Sequence, residues 1–170
     1  MAERERTYTW TDPSEVTRAV IGLEHHEWMA RMMHGEIPAA PFASTLEMRP
    51  EEIGDGRIVF GMNLREWMVN PAGVIHGGIT ATMLDSVLTL AVTTKLPRGK
   101  LCTTIDLIVH FVRPLFPTGE RVRAEGVALH VGSTIATAEA RLRDERDRLI
   151  AHATTSLAII DAAAMSTQRP

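Results

Sequence analysis

The sequence of 170 residues predicts an α+β fold in which antiparallel strands wrap around one enclosed helix. A helical pattern over 76–94 is apolar on nearly every side, which indicates a mostly buried helix. Alternating apolar and polar residues predict two short strands before this helix and four strands after it. Short turns join the consecutive strands, which favours antiparallel neighbours.

The first 40 residues, 1–40, are predicted to form an extension with one amphipathic helix. The segment Asp12-Pro13-Ser14-Glu15 is typical of a helix start, with proline in the first turn. Apolar residues then recur at helical spacing until about His34, and Gly35 ends the helix. Residues 37–41 form a connector in which prolines restrict the backbone.

The main domain covers residues 41–162, and residues 163–170 form a small polar tail. Its predicted strands are 46–49, 58–64, 103–112, 122–131, 134–142 and 149–160. Pro50 ends the first of them. In the third strand, Ile105 is expected on the apolar face. The parity of the fourth strand changes at Gly126, which predicts a bulge or strong bend there.

Composition argues against several classes of function. Hydrophobic residues make up 45% of the chain and aromatic residues 5%, with a formal net charge of −3. The sequence has no basic block, so we expect no nucleic-acid partner. The single cysteine, Cys102, rules out an intrachain disulfide framework and a cysteine zinc cluster, and fits a reducing cytosol. We interpret Cys102 as a strand residue rather than a nucleophile.

The first residues and the apolar segments predict a cytoplasmic protein. The first six residues are mostly charged and lack the apolar core of a secretion signal. The longest apolar stretch, 79–92, contains Asp85 and is too short to span a bilayer, so we expect no membrane association. The pair His25-His26 lies between two glutamates. Adjacent histidines point about 100° apart on a helix, so we expect no metal site there.

The segment from Asn70 to Asp85 contains the residues best suited to chemistry. Gly77 and Gly78 follow His76 and open the apolar helix. Backbone N–H groups at a helix start have a positive partial charge that suits a developing oxyanion. A lone carboxylate within an apolar helix is costly to bury unless its charge is paired or used. Together these features predict an acyl-transfer site.

The motif Asn-x-x-Gly-x-x-His-Gly-Gly, with Asp85 eight residues after Gly77, resembles the hotdog-fold acyl-CoA thioesterases. The order of helices and strands over 46–160 agrees with this, and the nearest branch resembles the PaaI-like type of the phenylacetic-acid pathway. The resemblance implies hydrolysis of acyl-coenzyme A thioesters at a site built across a dimer. It implies no metal and no cofactor, because coenzyme A is part of the substrate.

Five residues form the predicted catalytic set. The Gly77 N–H would donate to the thioester oxygen, and Asp85 would act as nucleophile or general base. His76 would hold the turn or polarise the carbonyl. The matching family positions imply that Asn70 binds the water or the carboxylate, and that Thr104 orients Asp85 or water. Each residue also has a purely structural interpretation. The two glycines would permit tight entry into the helix, and His76 would cap it. Asn70 would form a turn, and Thr104 would only favour the strand.

Coenzyme A contacts are expected at two places. The turn formed by Val131, Gly132, Ser133 and Thr134 lies at a position that resembles the family's contact region for pantetheine and nucleotide. Arg113 could meet the phosphates. Four further arginines could do the same, although arginines on exposed strand faces are mostly solvated: Arg121, Arg123, Arg141 and Arg143.

The spacing of the catalytic residues indicates that the site needs two chains. Gly77 and Asp85 are eight residues apart, about 12 Å along a helix axis, too far for both to touch one thioester carbon. Two such helices running antiparallel about a two-fold axis would bring Gly77 of one chain near Asp85 of the other. We therefore predict a homodimer with composite sites. A homotetramer, as a dimer of dimers, is also expected, but the spacing leaves the choice between dimer and tetramer open.

Two other functions stay open at this point. The chain could bind acyl-CoA without hydrolysing it, as a regulator, or act as an acyl-thioester hydratase or dehydratase on the same scaffold. The sequence lacks a Gly-x-Ser-x-Gly elbow and a P-loop, which argues against a serine α/β-hydrolase and a P-loop nucleotide site. Few aromatic residues and nine methionines fit short aliphatic and aromatic acyl groups alike.

Overall fold

Six strands form one antiparallel sheet packed around a central helix in the computed structural model, which describes residues 3–162. The predicted α+β architecture is confirmed. The predicted tail, 163–170, lies outside the described residues, as do residues 1–2. Every helix within 3–162 is too short or too polar to cross a membrane.

The helices are α1 (Pro13–Val20), α2 (His25–Met33), α3 (Pro41–Thr45) and α4 (Gly77–Thr93), with a 3-10 turn at Glu66–Met68. The strands are β1 (Arg49–Gly54), β2 (Arg57–Asn63), β3 (Lys100–Phe111), β4 (Arg121–Val131), β5 (Ile135–Arg143) and β6 (Leu149–Asp161). Their order across the sheet is β1-β2-β4-β5-β6-β3, so β1 and β3 are the edge strands.

Helix α4 forms the centre of the core because apolar residues cover most of its circumference. Met83, Leu84 and Leu88 are completely buried. Burying one such side chain contributes about 1.5–3 kcal/mol to folding. A glycine lets the helix approach the sheet: a Cβ added at Gly126 of β4 would lie 2.3 Å from the carbonyl oxygen of Val87. The backbone of α4 therefore rests directly on β4.

The prediction of one long N-terminal helix is wrong, because the chain forms two helices there. Gly22 has a φ of +85°, in the left-handed region, and separates α1 from α2. Helix α1 buries no side chain, whereas α2 buries His25 and Met29. The predicted connector leads into a further short helix, α3, with Pro41 in its first turn.

The predicted strand at 46–49 is also wrong. Leu46 ends α3, Glu47 has a left-handed φ of +58°, and β1 begins only at Arg49. Pro50 lies within this strand instead of ending a strand. Proline cannot donate a hydrogen bond to a neighbouring strand, but an edge strand such as β1 tolerates it.

The bulge that alternation predicted at Gly126 is wrong. Gly126 pairs regularly with Ala140 of β5, and the register shifts between Ala128 and His130. Leu129, the extra residue, is 59% exposed. The glycine serves the close approach of α4 instead, which is the other common use of glycine within a strand.

A bulge in β3 decides which of its side chains face α4. The pairing with β6 shifts between Thr104 and Asp106, so Ile105 is the extra residue. Ile105 is 57% exposed, and its expected place on the apolar face is wrong. Because the bulge inverts the alternation, Thr104 before it and Leu107 after it both face the helix.

Candidate active site

His76 ends the loop before α4 and caps the helix. Its backbone is extended, with φ −61° and ψ 133°, and its Nδ1 accepts the Gly78 N–H at 2.9 Å. Its own N–H donates to the Met68 carbonyl at 2.8 Å. These contacts agree with the structural interpretation of His76 as a cap, while a role in polarising a carbonyl stays a prediction.

The N–H of Gly77 is the first of α4 and lies where a helix concentrates partial positive charge. Within residues 3–162 it donates to no acceptor, and the His76 ring accepts the next N–H, that of Gly78. The first N–H groups of a helix lack partners within the helix. This one can therefore bind a carbonyl oxygen that gains negative charge.

Gly77 lies in the wall of a cleft of about 290 Å³. Phe111, at the end of β3, packs over it: a Cβ added at Gly77 would lie 3.2 Å from the Cζ of the ring. The cleft has three polar lining residues, Asn70, Thr80 and Arg113. Its other lining residues are apolar and suit an acyl group: Val74, Ile75, Val112, Pro114, Leu115 and Ile150.

Asn70 shapes the loop that leads to this cleft. Its Oδ1 accepts the N–H groups of Ala72 at 2.9 Å and of Val74 at 3.4 Å. Its backbone N–H donates to the Val74 carbonyl at 2.8 Å. The turn-forming interpretation of Asn70 agrees with these contacts. The predicted contact with water or a carboxylate stays a prediction.

Asp85 lies on the side of α4 that faces the edge strand β3, and its side chain is partly buried. The hydroxyl of Thr104 donates to Asp85 Oδ1 at 2.8 Å. The same hydroxyl lies 3.4 Å from that of Thr89. The predicted pairing of Thr104 with Asp85 is therefore present as a contact. It fixes the direction of a carboxylate that α4 would otherwise leave free to rotate.

Cys102 lies close to this pair but is poorly suited to act as a nucleophile. Its Sγ is 3.4 Å from the Thr93 hydroxyl and 3.5 Å from the Thr89 carbonyl oxygen. Burial raises the pKa of the Cys102 thiol; the Thr93 hydroxyl opposes this, and the Asp85 carboxylate raises the pKa further. A thiol that resists ionisation reacts slowly, which agrees with a structural role.

Within one chain, the predicted site residues lie in three separate places. Gly77 and Arg113 line the same cleft, and Arg113 donates to the Leu149 carbonyl at 2.5 Å. Asp85 does not line that cleft; it lies about 12 Å away along α4. The turn 131–134 is the β4–β5 hairpin and lies farther still, at the opposite end of β3.

The four further arginines lie on strands and all form ion pairs. Arg121 and Arg123 bond to Glu51, and Arg123 also bonds to Glu52. Arg141 bonds to Glu139 at 2.7 Å, and Arg143 lies 3.7 Å from Asp147. Phosphate binding by these side chains would have to compete with the carboxylates. Arg113 is the arginine that lies in the Gly77 cleft.

Of the adjacent pair His25 and His26, His25 has a packing role. His25 is buried; its Nε2 lies 3.0 Å from the Lys100 carbonyl, and its Nδ1 accepts the indole N–H of Trp28 at 3.2 Å. Among residues 3–162, no three His, Cys, Asp or Glu side chains converge as a metal site would require.

Sequence reasoning missed the apolar wall of the cleft. Phe111, Leu115 and Ile150 come from segments that lie 34 to 73 residues beyond Gly77. They meet because β3 pairs with β6, with Phe111 opposite Ala151. A long-range pairing of this kind has no local motif, so no signal near Gly77 could have identified them.

Known proteins resemble this chain in sequence and in fold. A family model described as the thioesterase superfamily matches residues 72–151. A solved structure described as from the thioesterase superfamily is 32% identical, covers 79% of this chain and 97% of its own, and has a TM-score of 0.66. A phenylacetic acid degradation-related protein of Ralstonia eutropha is 27% identical, with coverage of 77% and 98% and a TM-score of 0.70.

A curated relative carries a more specific name. Acyl-coenzyme A thioesterase 13 of Mus musculus is 29% identical over 89 residues, which are 52% of this chain and 62% of that protein. The chain spans less than two thirds of the length of the first curated relatives it matches. The segment 72–151 that the family model matches contains both Gly77 and Asp85.

Proposed function

Because the chain belongs to the thioesterase superfamily and has its hotdog fold, we propose that it hydrolyses acyl-coenzyme A thioesters at a site shared by two copies of the chain. The observation that supports this most is the pair of groups on α4. An unused N–H at Gly77 opens the helix, and a carboxylate at Asp85, oriented by Thr104, follows two turns later. These are the two groups that thioester hydrolysis needs.

The proposed chemistry divides the work between these groups. The Gly77 N–H donates to the thioester oxygen as negative charge develops on it. The Asp85 carboxylate attacks the carbonyl carbon, or removes a proton from a water that does so. If water attacks, Asp85 passes the proton of that water to the sulfur as the C–S bond breaks, and the coenzyme A thiol and the free acid leave. If Asp85 attacks, breaking of the C–S bond leaves an anhydride between the acyl group and Asp85, and the coenzyme A thiolate takes a proton from solvent. Water then hydrolyses this anhydride, which releases the acid and restores the Asp85 carboxylate.

The shared site follows from distance. Reacting atoms must lie about 3–3.5 Å apart, whereas Gly77 and Asp85 of one chain are about 12 Å apart along the helix. The edge strand β3 offers a surface for a second copy, because Ile105, Ile108 and Phe111 on it are more than half exposed. Antiparallel pairing of two β3 strands about a two-fold axis between Leu107 and Ile108 would put Phe111 of one chain beside Thr104 of the other.

A panel of acyl-coenzyme A substrates tests the activity through release of free thiol. Asp85→Asn keeps the shape of the side chain and is expected to lose at least about a hundredfold in kcat. Asp55→Asn is the matched control, because Asp55 is exposed and its ion pair with Lys95 lies at the surface, and it should keep full activity.

Other outcomes of the same assay would exclude hydrolysis. Tight binding of acyl-coenzyme A without thiol release by the unaltered chain would identify a binding protein. Loss of enoyl absorbance from a crotonyl-type substrate with the thioester intact would identify a hydratase. Either result overturns the proposal, because both leave the C–S bond unbroken.

Subunit mixing tests the shared site. Asp85→Asn supplies an intact Gly77, and Gly77→Pro supplies an intact Asp85, so neither homodimer has a complete site. A mixed dimer has one complete site of two, and random mixing should restore about a quarter of the unaltered activity. Mixed dimers that form, as shown by two affinity tags, but stay inactive would refute the shared site. Sedimentation of the unaltered chain would separate dimer from tetramer.

A further inference from the structure

The N-terminal segment before α1 is fastened to the loop region of the site by one arginine. The Arg6 guanidinium carbon lies 3.7 Å from the centre of the Trp67 ring and 4.5 Å from that of Tyr8. Its Nη2 donates to the Thr45 carbonyl at 2.7 Å and to Glu47 Oε1 at 3.2 Å. The Arg6 side chain is only 23% exposed, so these contacts are largely shielded from water.

The backbone of Glu47 indicates that this cluster has a specific structural role. Its φ of +58° lies in the left-handed region, which is unfavourable for a residue with a side chain. Its carboxylate is held from two sides, by Arg6 and by Arg65, whose Nε lies 2.9 Å from Oε2. Strained residues persist where surrounding contacts fix them, and they are frequent beside functional loops. We call Arg6, Glu47 and Trp67 the Arg6 clamp.

The clamp is joined to the Gly77 N–H by a short series of backbone contacts. Trp67 is the middle residue of the 3-10 turn, and the next residue, Met68, accepts the His76 N–H at 2.8 Å. One residue further, Val69 forms an isolated bridge with Ile75. The turn that contains Trp67 is therefore the base of the loop that ends at Gly77.

We propose that Arg6 is a positioning residue of the thioesterase site. By stacking on Trp67, Arg6 holds the 3-10 turn in place. This turn fixes His76, and His76 sets the direction of the Gly77 N–H. Arg6 does not line the Gly77 cleft. The inference rests on the proposed function, since it assigns the N-terminal segment a role in the same site.

The expected effect of Arg6→Ala is on turnover rather than on substrate binding. A donor that acts on the developing oxyanion lowers the energy of the transition state, so its misplacement reduces kcat. Complete loss of such a donor costs roughly 10²–10³-fold, and a loosened donor should cost less, about tenfold in kcat. KM should stay within about twofold, because the apolar cleft is unchanged.

Arg4→Ala is the matched control. It removes the same charge two residues away, where Arg4 is exposed and lies 3.4 Å from Glu66 of the same 3-10 turn. Exposed ion pairs contribute little, so kcat should stay within about twofold of the unaltered value. Arg6→Lys should restore part of kcat, because a lysine keeps a cation over the ring but not the planar contact with two acceptors.

Hydrogen exchange in the full chain provides the readout that activity alone lacks. In Arg6→Ala, the peptide that contains His76 should exchange faster, while peptides from the centre of α4 should not change. If the unaltered chain hydrolyses no acyl-coenzyme A, the proposed function fails, and the exchange data still test the clamp. If the unaltered chain is active and Arg6→Ala retains its kcat and its His76 protection, the positioning role is refuted. A fall in kcat that only follows the loss of folded protein would also refute it.

Discussion

Replacing Gly77 by proline tests the proposed hydrogen-bond donor without disturbing the fold, because proline lacks the N–H and the fold does not use the N–H at this position. Gly77 is the first residue of α4, the helical position at which proline is most favoured. The residue before a proline must be extended, and His76 already is, with φ −61° and ψ 133°. We therefore expect a folded variant without the proposed oxyanion donor.

Gly77→Ala is the control that isolates the N–H. Both substitutions add a Cβ 3.2 Å from the Phe111 ring, which must shift by a few tenths of an ångström. The ring can do so because Phe111 is 57% exposed. Any cost that alanine shows is therefore the cost of crowding by the Cβ, and the further loss that proline shows combines the missing donor with the other two ring carbons.

The expected difference is large enough to measure easily. Removing one oxyanion donor lowers kcat by roughly 10²–10³-fold, or about 2.7–4 kcal/mol. The assay is thiol release at saturating acyl-coenzyme A, with urea unfolding of both variants to confirm that each is folded. Equal kcat for Gly77→Pro and Gly77→Ala, with both folded, would refute the donor role. It would leave the two glycines with the structural interpretation, tight entry into a buried helix.

Two further predictions concern the scaffold. Gly126→Ala should lower the free energy of unfolding by about 3 kcal/mol or more, because the new Cβ meets backbone atoms of Val87 and Leu88. Gly54→Ala is the control and should not lower it, because a Cβ there has no neighbour nearer than 3.8 Å. Urea unfolding measures the stability of both variants. Because burial raises the pKa of Cys102, its reactive thiolate should form only at higher pH than in a free cysteine. Iodoacetamide at pH 8 should therefore label the unfolded chain much faster than the native one by mass spectrometry, and equal rates would contradict this.

The elements that were predicted well are those whose pattern is local. The helix expected over 76–94 is α4, Gly77–Thr93, because apolar residues on every side and a histidine–glycine start define it without reference to the sheet. The N-terminal helix was predicted too long because apolar spacing continues across Gly22, where only the backbone angle shows the break. Pro50 predicts a strand end in the sequence, because the sequence does not show that β1 lies at an edge, where proline is tolerated.

The candidate site follows the same division. The donor at Gly77 and the carboxylate at Asp85 lie on one helix, so their motif is visible in the sequence. Alternation that puts Ile105 on the apolar face puts Thr104 on the other face, whereas the bulge at Ile105 lets Thr104 and Leu107 both face α4. The Arg6 clamp joins residues about 60 positions apart through a cation–π contact, for which no sequence pattern exists.

The coenzyme A contact predicted at the hairpin 131–134 gives a further reason to expect a shared site. Ile135 beside this hairpin pairs with Ala158, which also pairs with Thr103 of β3, whereas the Gly77 cleft lies at Phe111. Eight strand residues separate these ends, about 26 Å, so one chain cannot readily place its own hairpin on a ligand bound at its own Gly77. Antiparallel pairing of two β3 strands exchanges the ends. The two-fold axis that we propose for Asp85 and Gly77 would then bring the hairpin of one chain toward Arg113 of the other, so that both predicted coenzyme A contacts would serve one site.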